Sequence, residues 1–151
     1  MEATFTYSLR KYLDEYLEGI TRAVIIEDGV VLTDEIKPFV TIEYLGENSE
    51  IISAGRKSYE EIHRYSLGLF AESNHQRAVL REELRTLLLD PTGIPIYEIG
   101  TGKTGERFLM DVSAFAAMSS QDEANETYQN HGYFTGAVEI LRNVGESTFT
   151  Q

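Results

Sequence analysis

Tyr59-Glu60-Glu61-Ile62-His63-Arg64-Tyr65-Ser66-Leu67-Gly68-Leu69-Phe70-Ala71 is the stretch that decides the fold. Read with the two-residue period of a strand, one face carries Tyr59, Glu61, His63, Tyr65, Leu67, Leu69 and Ala71. The other face carries Glu60, Ile62, Arg64, Ser66, Gly68 and Phe70. The second half of the first set reads as core, and its polar start predicts a strand that projects beyond the sheet. Gly46-Glu47-Asn48-Ser49 and Ala54-Gly55-Arg56-Lys57 punctuate the chain before it, so a long hairpin with exposed tips is expected there. Immediately after it, Ser73 with Gln76 three residues on fits a capping box, and Val79, Leu80, Leu84, Leu87 and Leu88 make a helical stripe. Asp90-Pro91-Thr92-Gly93 ends that helix.

Working outward, Phe5, Leu9, Tyr12, Leu13, Tyr16, Leu17 and Ile20 recur at helical spacing opposite Arg10, Lys11, Asp14, Glu15 and Glu18, which predicts an amphipathic helix over 5–20. Ala23–Ile26 and Val30–Leu32 flank Asp28-Gly29, a hairpin signal. Pro38 opens a strand over 39–45, where its missing N–H need not join the ladder. Further on, Ile94–Ile99 reads as an edge strand because of Pro95, and alternation predicts strands over about 107–118 and over Tyr133–Leu141. The polar stretch 119–132 between them is too long for a tight hairpin, and the tail 144–151 is expected to be mobile. Helix, strands, helix, strands in one unit, 1–151, makes an α+β domain: a mostly antiparallel sheet, two main helices on one face and a long projecting β-hairpin.

At 151 residues, one core is the default. The absence of cysteine excludes disulfides, thiolate metal sites and a cysteine nucleophile. No apolar run approaches the roughly 18 residues of a membrane span, and Met1–Phe5 has no basic region leading into an apolar block, so a chain made and folded in a cytoplasm is expected. The formal charge of −12 is uneven: residues 27–72 hold ten carboxylates against Lys37, Arg56, Lys57 and Arg64. Gripping nucleic acid requires a basic face that displaces counterions, so an acidic surplus argues against it; most of these charges read as a solvated surface that keeps the protein soluble, and the functional alternative is an acidic face that stays near DNA without adhering.

The sequence offers few candidates for chemistry. Gly100-Thr101-Gly102-Lys103-Thr104-Gly105 resembles a phosphate loop, but Tyr97 stands where the first glycine must be and an alternating segment follows instead of a helix, so a hairpin turn is expected. His63, His75 and His131 are 12 and 56 residues apart, read as strand, helix start and loop, and lack the i,i+4 spacing of a helical metal site; surface or rim positions are expected. Asp122, Glu123, Glu126 and His131 lack calcium-loop spacing and read as a solvated acidic loop. There is no Gly-x-Ser-x-Gly elbow. These readings give no catalytic residue, no cofactor and no metal. Of nine Tyr and seven Phe, Tyr12, Tyr16, Phe39, Tyr44, Tyr65, Phe70, Phe108, Phe115, Tyr133 and Phe134 fall on helical or strand stripes and read as core; their presence on both faces of several strands exceeds what one half-solvated sheet needs, which hints at burial against neighbouring copies.

The N-terminal helix, Pro38-Phe39-Val40-Thr41-Ile42-Glu43-Tyr44-Leu45, the strand Tyr59–Ala71 leading into the helix 73–89, and the strands over 108–117 and 133–141 together resemble the tail terminator proteins of long-tailed bacteriophages. The likeness is one of order and texture over most of the chain; that family has no short diagnostic motif. It implies a structural virion protein of the tail neck, assembled in the host cytoplasm. Such a protein forms a hexameric ring that caps the tail tube, stops its polymerisation and meets the head connector, while DNA passes without being gripped. On that reading, subunit or tube contacts fall at Glu47, Ile51, Ile52, Arg56, Lys57, Tyr59, Glu61, Tyr65, Tyr133 and Thr135. Glu50, Glu60, Asp122, Glu123 and Glu126 are candidates for an acidic bore. Two other readings are a different neck component, such as a head–tail connector or stopper, and an acidic non-viral interaction module.

Overall fold

Alternation over 59–71 builds the central strand of a mixed sheet. The computed structural model describes residues 2–26, 36–51, 58–118 and 131–143. Its elements run α1 (Glu2–Tyr16), β1 (Ala23–Ile26), β2 (Phe39–Ile51), β3 (Ser58–Phe70), α2 (Asn74–Leu88), β4 (Ile94–Glu98), β5 (Gly102–Phe108), β6 (Met110–Val112), β7 (Ala116–Met118) and β8 (His131–Asn143). The main sheet has the order β1-β2-β3-β8-β6, with β7 also on β8, and all its pairs are antiparallel except β1–β2. A separate hairpin, β4–β5, packs near α1. The α+β architecture is therefore as the pattern of elements implied.

Both helices bury their stripes on one face of the sheet. Phe5, Leu9, Leu13 and Leu17 of α1 and Leu80, Leu84 and Leu88 of α2 join Val40, Ile42, Tyr65, Leu67, Leu69, Phe134 and Val138 in one core. Each such side chain contributes about 1.5–3 kcal/mol through removal from water. Ser73 caps α2 by accepting from the Gln76 amide, and the Gln76 side chain returns an acceptor to the Glu72 amide at 2.7 Å. Val79, placed in the buried stripe by spacing, is 45% exposed: Leu80, Leu84 and Leu88 carry the contact, one turn apart each. Helix α1 stops at Tyr16, with one further helical bond from the Leu17 amide, and does not reach Ile20. At Gly19 a Cβ would lie 2.5 Å from Leu80 Cδ2, so the chain leaving α1 passes close against α2 and a larger residue there would have to displace the Leu80 side chain.

Several strand expectations need correction. β1 is not described as an arm of a local hairpin: it pairs in parallel with β2, Ala23 opposite Val40, and the Asp28-Gly29 turn and Val30–Leu32 lie outside the described residues. Gly46–Ser49 is not a turn but part of β2, which continues to Ile51 past a bulge between Tyr44 and Gly46. The single strand expected over 107–118 divides into the end of β5, β6 and β7: past Phe108 the chain passes from its pairing with β4 to the main sheet, and at Ser113 the ladder between β6 and β7 is interrupted. The Ser113 hydroxyl accepts from the Thr135 amide while its amide donates to Thr135 O, both at 2.9 Å, which spans the gap beside β8. β8 over Tyr133–Val138 is an interior strand, paired with β3 on one side and with β6 and β7 on the other. His131 belongs to β8, not to a loop.

The second face of the sheet is also apolar. Phe39 and Phe70 stack at 4.7 Å and 3°, are buried within the subunit, and have Val24, Ile26 and Tyr133 packed against them. Phe39 and Phe70 are thus enclosed within the chain itself, while Tyr44, Phe115 and Tyr133 stay partly exposed.

Candidate functional site

Beyond the helices, three strands continue together. β2 and β3 form the long projecting hairpin, paired to Ile51–Tyr59, and β8 stays beside β3 out to Asn143–Ser58. Among the described residues, no strand flanks β2 beyond Glu43 or β8 beyond Val138. The distal parts of β2, β3 and β8 therefore make a three-stranded arm with both backbone margins unpaired by any described strand. β2 and β8 are each antiparallel to β3, so the two margins run in the same direction.

A polar cluster sits at the root of this arm. Glu61 and His63 are two apart on β3 and so share a face, the face whose next members are the core residues Tyr65 and Leu67. On β2, regular alternation from Ile42 and Tyr44 would place residue 46 on that face and 47 on the opposite one. The bulge at Tyr44/Gly46 adds one residue, and Gly46 accommodates it with a φ of 120°. Glu47 is thereby brought directly opposite His63. His63 Nε2 lies 3.1 Å from Glu61 Oε1 and 3.7 Å from Glu47 Oε2. The other ring nitrogen, Nδ1, is 3.1 Å from the Tyr44 hydroxyl. Phe5 of α1 meets the imidazole edge-to-face at 5.5 Å, and Tyr44 packs against Tyr65. His63 and Glu61 are buried, at 2% and 7% exposure, while Glu47 is exposed. His63 is accordingly not the surface or rim histidine expected, although β3 projects as its polar start implied.

No protein-family model matches the chain, and no curated protein matches it either.

The other residues singled out by sequence are scattered. Tyr65 is fully buried, with its hydroxyl accepting from Thr6 Oγ1, and Glu61 is enclosed beside His63; both side chains are committed within the subunit and present no contact surface. Tyr133 is half-buried against Phe70 and His131. Thr135 is exposed on β8. Ile51 and Tyr59 are register partners near the end of the arm, as are Glu50 and Glu60. Ile52, Arg56, Lys57, Asp122, Glu123 and Glu126 lie outside the described residues.

The loop resembling a phosphate cradle is a hairpin turn between β4 and β5, as its flanking pattern implied. Its lysine is directed to α1. Lys103 Nζ donates to the Tyr16 hydroxyl at 2.6 Å, lies 3.7 Å from Glu15 Oε1 and sits 5.1 Å from the Tyr16 ring centre. These partners, the Tyr16 hydroxyl foremost, raise the Lys103 ammonium above its ordinary range. Tyr97 donates to Glu15 at 2.8 Å, and burial together with that carboxylate holds its phenol protonated well above the usual tyrosine range.

Proposed function

We propose that this chain is a ring-forming structural subunit, and that the ring is a tail terminator of a long-tailed bacteriophage. The observation that carries the reading is the arm: three long strands whose two margins, parallel to each other, are free of any other described strand. Open strand margins template further pairing, and proteins that keep them usually cover them on assembly. Margins of the same direction on opposite sides favour head-to-tail joining, in which each copy meets the next by the same rotation; such a contact makes a ring when the rotation closes and a filament when it does not, and the ring is the form proposed here. Six copies, each with a formal charge of −12, would surround a bore that repels passing DNA instead of holding it. Glu50 and Glu60, opposite one another in the arm register, are candidates for that lining. The partners on this reading are the tail tube below and the head connector above.

Light scattering on the purified protein, followed by negative-stain electron microscopy with and without tail tubes, tests it. A six-membered ring that seats on tube ends is expected. A monomer at high concentration, indifferent to tubes, overturns it. A connector or stopper would leave capped tails of normal length when its gene is deleted, whereas loss of a terminator gives headless tails of aberrant length.

A further inference from the structure

We propose that Glu47, Glu61 and His63 bind one divalent transition-metal ion of the zinc type, clamping β2 to β3 at the root of the arm. The ligand atoms of the three residues lie within 4.8 Å of one another. Around a tetrahedral zinc with bonds of about 2.05 Å, neighbouring ligand atoms are about 3.3 Å apart. The Nε2 separations of 3.1 and 3.7 Å from the two carboxylates bracket that value. An ion entering this triangle needs side-chain adjustments of a few tenths of an ångström along the two measured edges, and no change of backbone register.

The surroundings suit a ligand set. A metal-bound imidazole takes its orientation from the hydrogen bond at its second nitrogen. Here that partner is the Tyr44 hydroxyl, 3.1 Å from Nδ1. A tyrosine hydroxyl both donates and accepts. With a neutral ring protonated at Nε2, the metal-free arrangement has Tyr44 donating to Nδ1 and Nε2–H donating to Glu61. When the ion binds, Nε2 gives its lone pair to the metal, the ring proton resides on Nδ1, and Nδ1–H donates to the Tyr44 oxygen. The count of ring protons is unchanged, and two negative carboxylates balance the charge of the cation. Phe5, Tyr44 and Tyr65 hold the ring side of the site in apolar surroundings, while the exposed Glu47 leaves one coordination position toward water. One imidazole with two carboxylates is a borderline-to-hard set, favouring Zn²⁺ over Mn²⁺ and Mn²⁺ over Mg²⁺.

The test is calorimetric titration of ZnCl₂, MnCl₂ and MgCl₂ into tag-free, chelator-stripped full-length protein, paired with thermal melts. One zinc per chain, an upward shift of the melting temperature and the affinity order Zn²⁺ > Mn²⁺ > Mg²⁺ are expected. His63→Gln should abolish the site. Glu47→Gln, at an exposed position, should weaken zinc at least tenfold. His75→Gln on the exposed start of α2 should leave binding unchanged. Absence of saturable zinc binding overturns the proposal, as does binding that survives Glu47→Gln at full strength or is lost with His75→Gln.

Discussion

Replacing Ser8 by alanine removes a single oxygen, yet the structure assigns it a specific cost. Ser8 is fully buried on α1, and its Oγ accepts from the Tyr97 amide at 2.9 Å. That amide lies in β4 at the irregularity between Pro95 and Tyr97, where the strand's regular pairing with β5 is shifted. In Ser8→Ala the amide keeps its burial and loses its acceptor, which costs about 1–3 kcal/mol. Alanine's higher helix propensity returns about 0.5 kcal/mol. The net expectation is a loss of about 1.5 kcal/mol, or a fall of about 3–6 °C in melting temperature for a chain of this size. Urea unfolding should be followed by circular dichroism and by tyrosine emission, since the chain has no tryptophan. The midpoint should fall with the slope unchanged, because the surface exposed on unfolding is the same. Thr86→Ala is the control: Thr86 donates only back to its own helix, at Glu82 O, on an exposed face, so its removal should be nearly silent. If Ser8→Ala behaves like Thr86→Ala, the docking of β4 on α1 does not depend on this bond and the reasoning fails.

Two further outcomes follow from packing and protonation. Leu84→Ala, at a fully buried position of α2, should cost about 2–5 kcal/mol by urea titration, while Val79→Ala one turn away should cost less than about 0.5 kcal/mol; equal effects would mean the helix faces the sheet differently. Burial, with Asp90 adding to it, pushes the Tyr12 phenol from 10.0 up to about 12, and its hydroxyl donates to Leu87 O at 2.8 Å. A raised folded-state value means that this contribution is complete below about pH 10 and disappears as pH climbs toward 12. The stability gap between the parent and Tyr12→Phe should therefore narrow across that range, and a gap that stays constant or widens in urea titrations from pH 9 to 12 would refute the assignment.

How much could be read from the chain depends on the range of the interactions involved. The stripes of both helices, the cap of α2, the start of β2 at Phe39 and the alternation of β3 are set by neighbours within a few residues, and they were legible. Val79 was misplaced because spacing alone does not say which edge of a leucine-rich stripe meets the sheet. The division of β6 from β7 lies where one serine hydroxyl answers a partner strand, and the parallel pairing of β1 depends on where β2 falls, neither of which a local pattern contains. The polar cluster was half visible. Glu61 and His63 stand two apart in a strand pattern, which places them on one face, but a test restricted to helical i,i+4 spacing passes over that. Glu47 could not be assigned to them, because its side of the sheet depends on a bulge that local alternation does not reveal.

That bulge makes the grouping at the root of the arm indifferent to one particular change of length. Leu45 is the supernumerary residue, and deleting its codon would restore strict two-residue parity along β2 with Gly46 still opposite Arg64 and Glu47 still opposite His63. Among descendants of this chain, side-chain identity at 47, 61 and 63, more than length at position 45, would be the marker of whether the grouping persists.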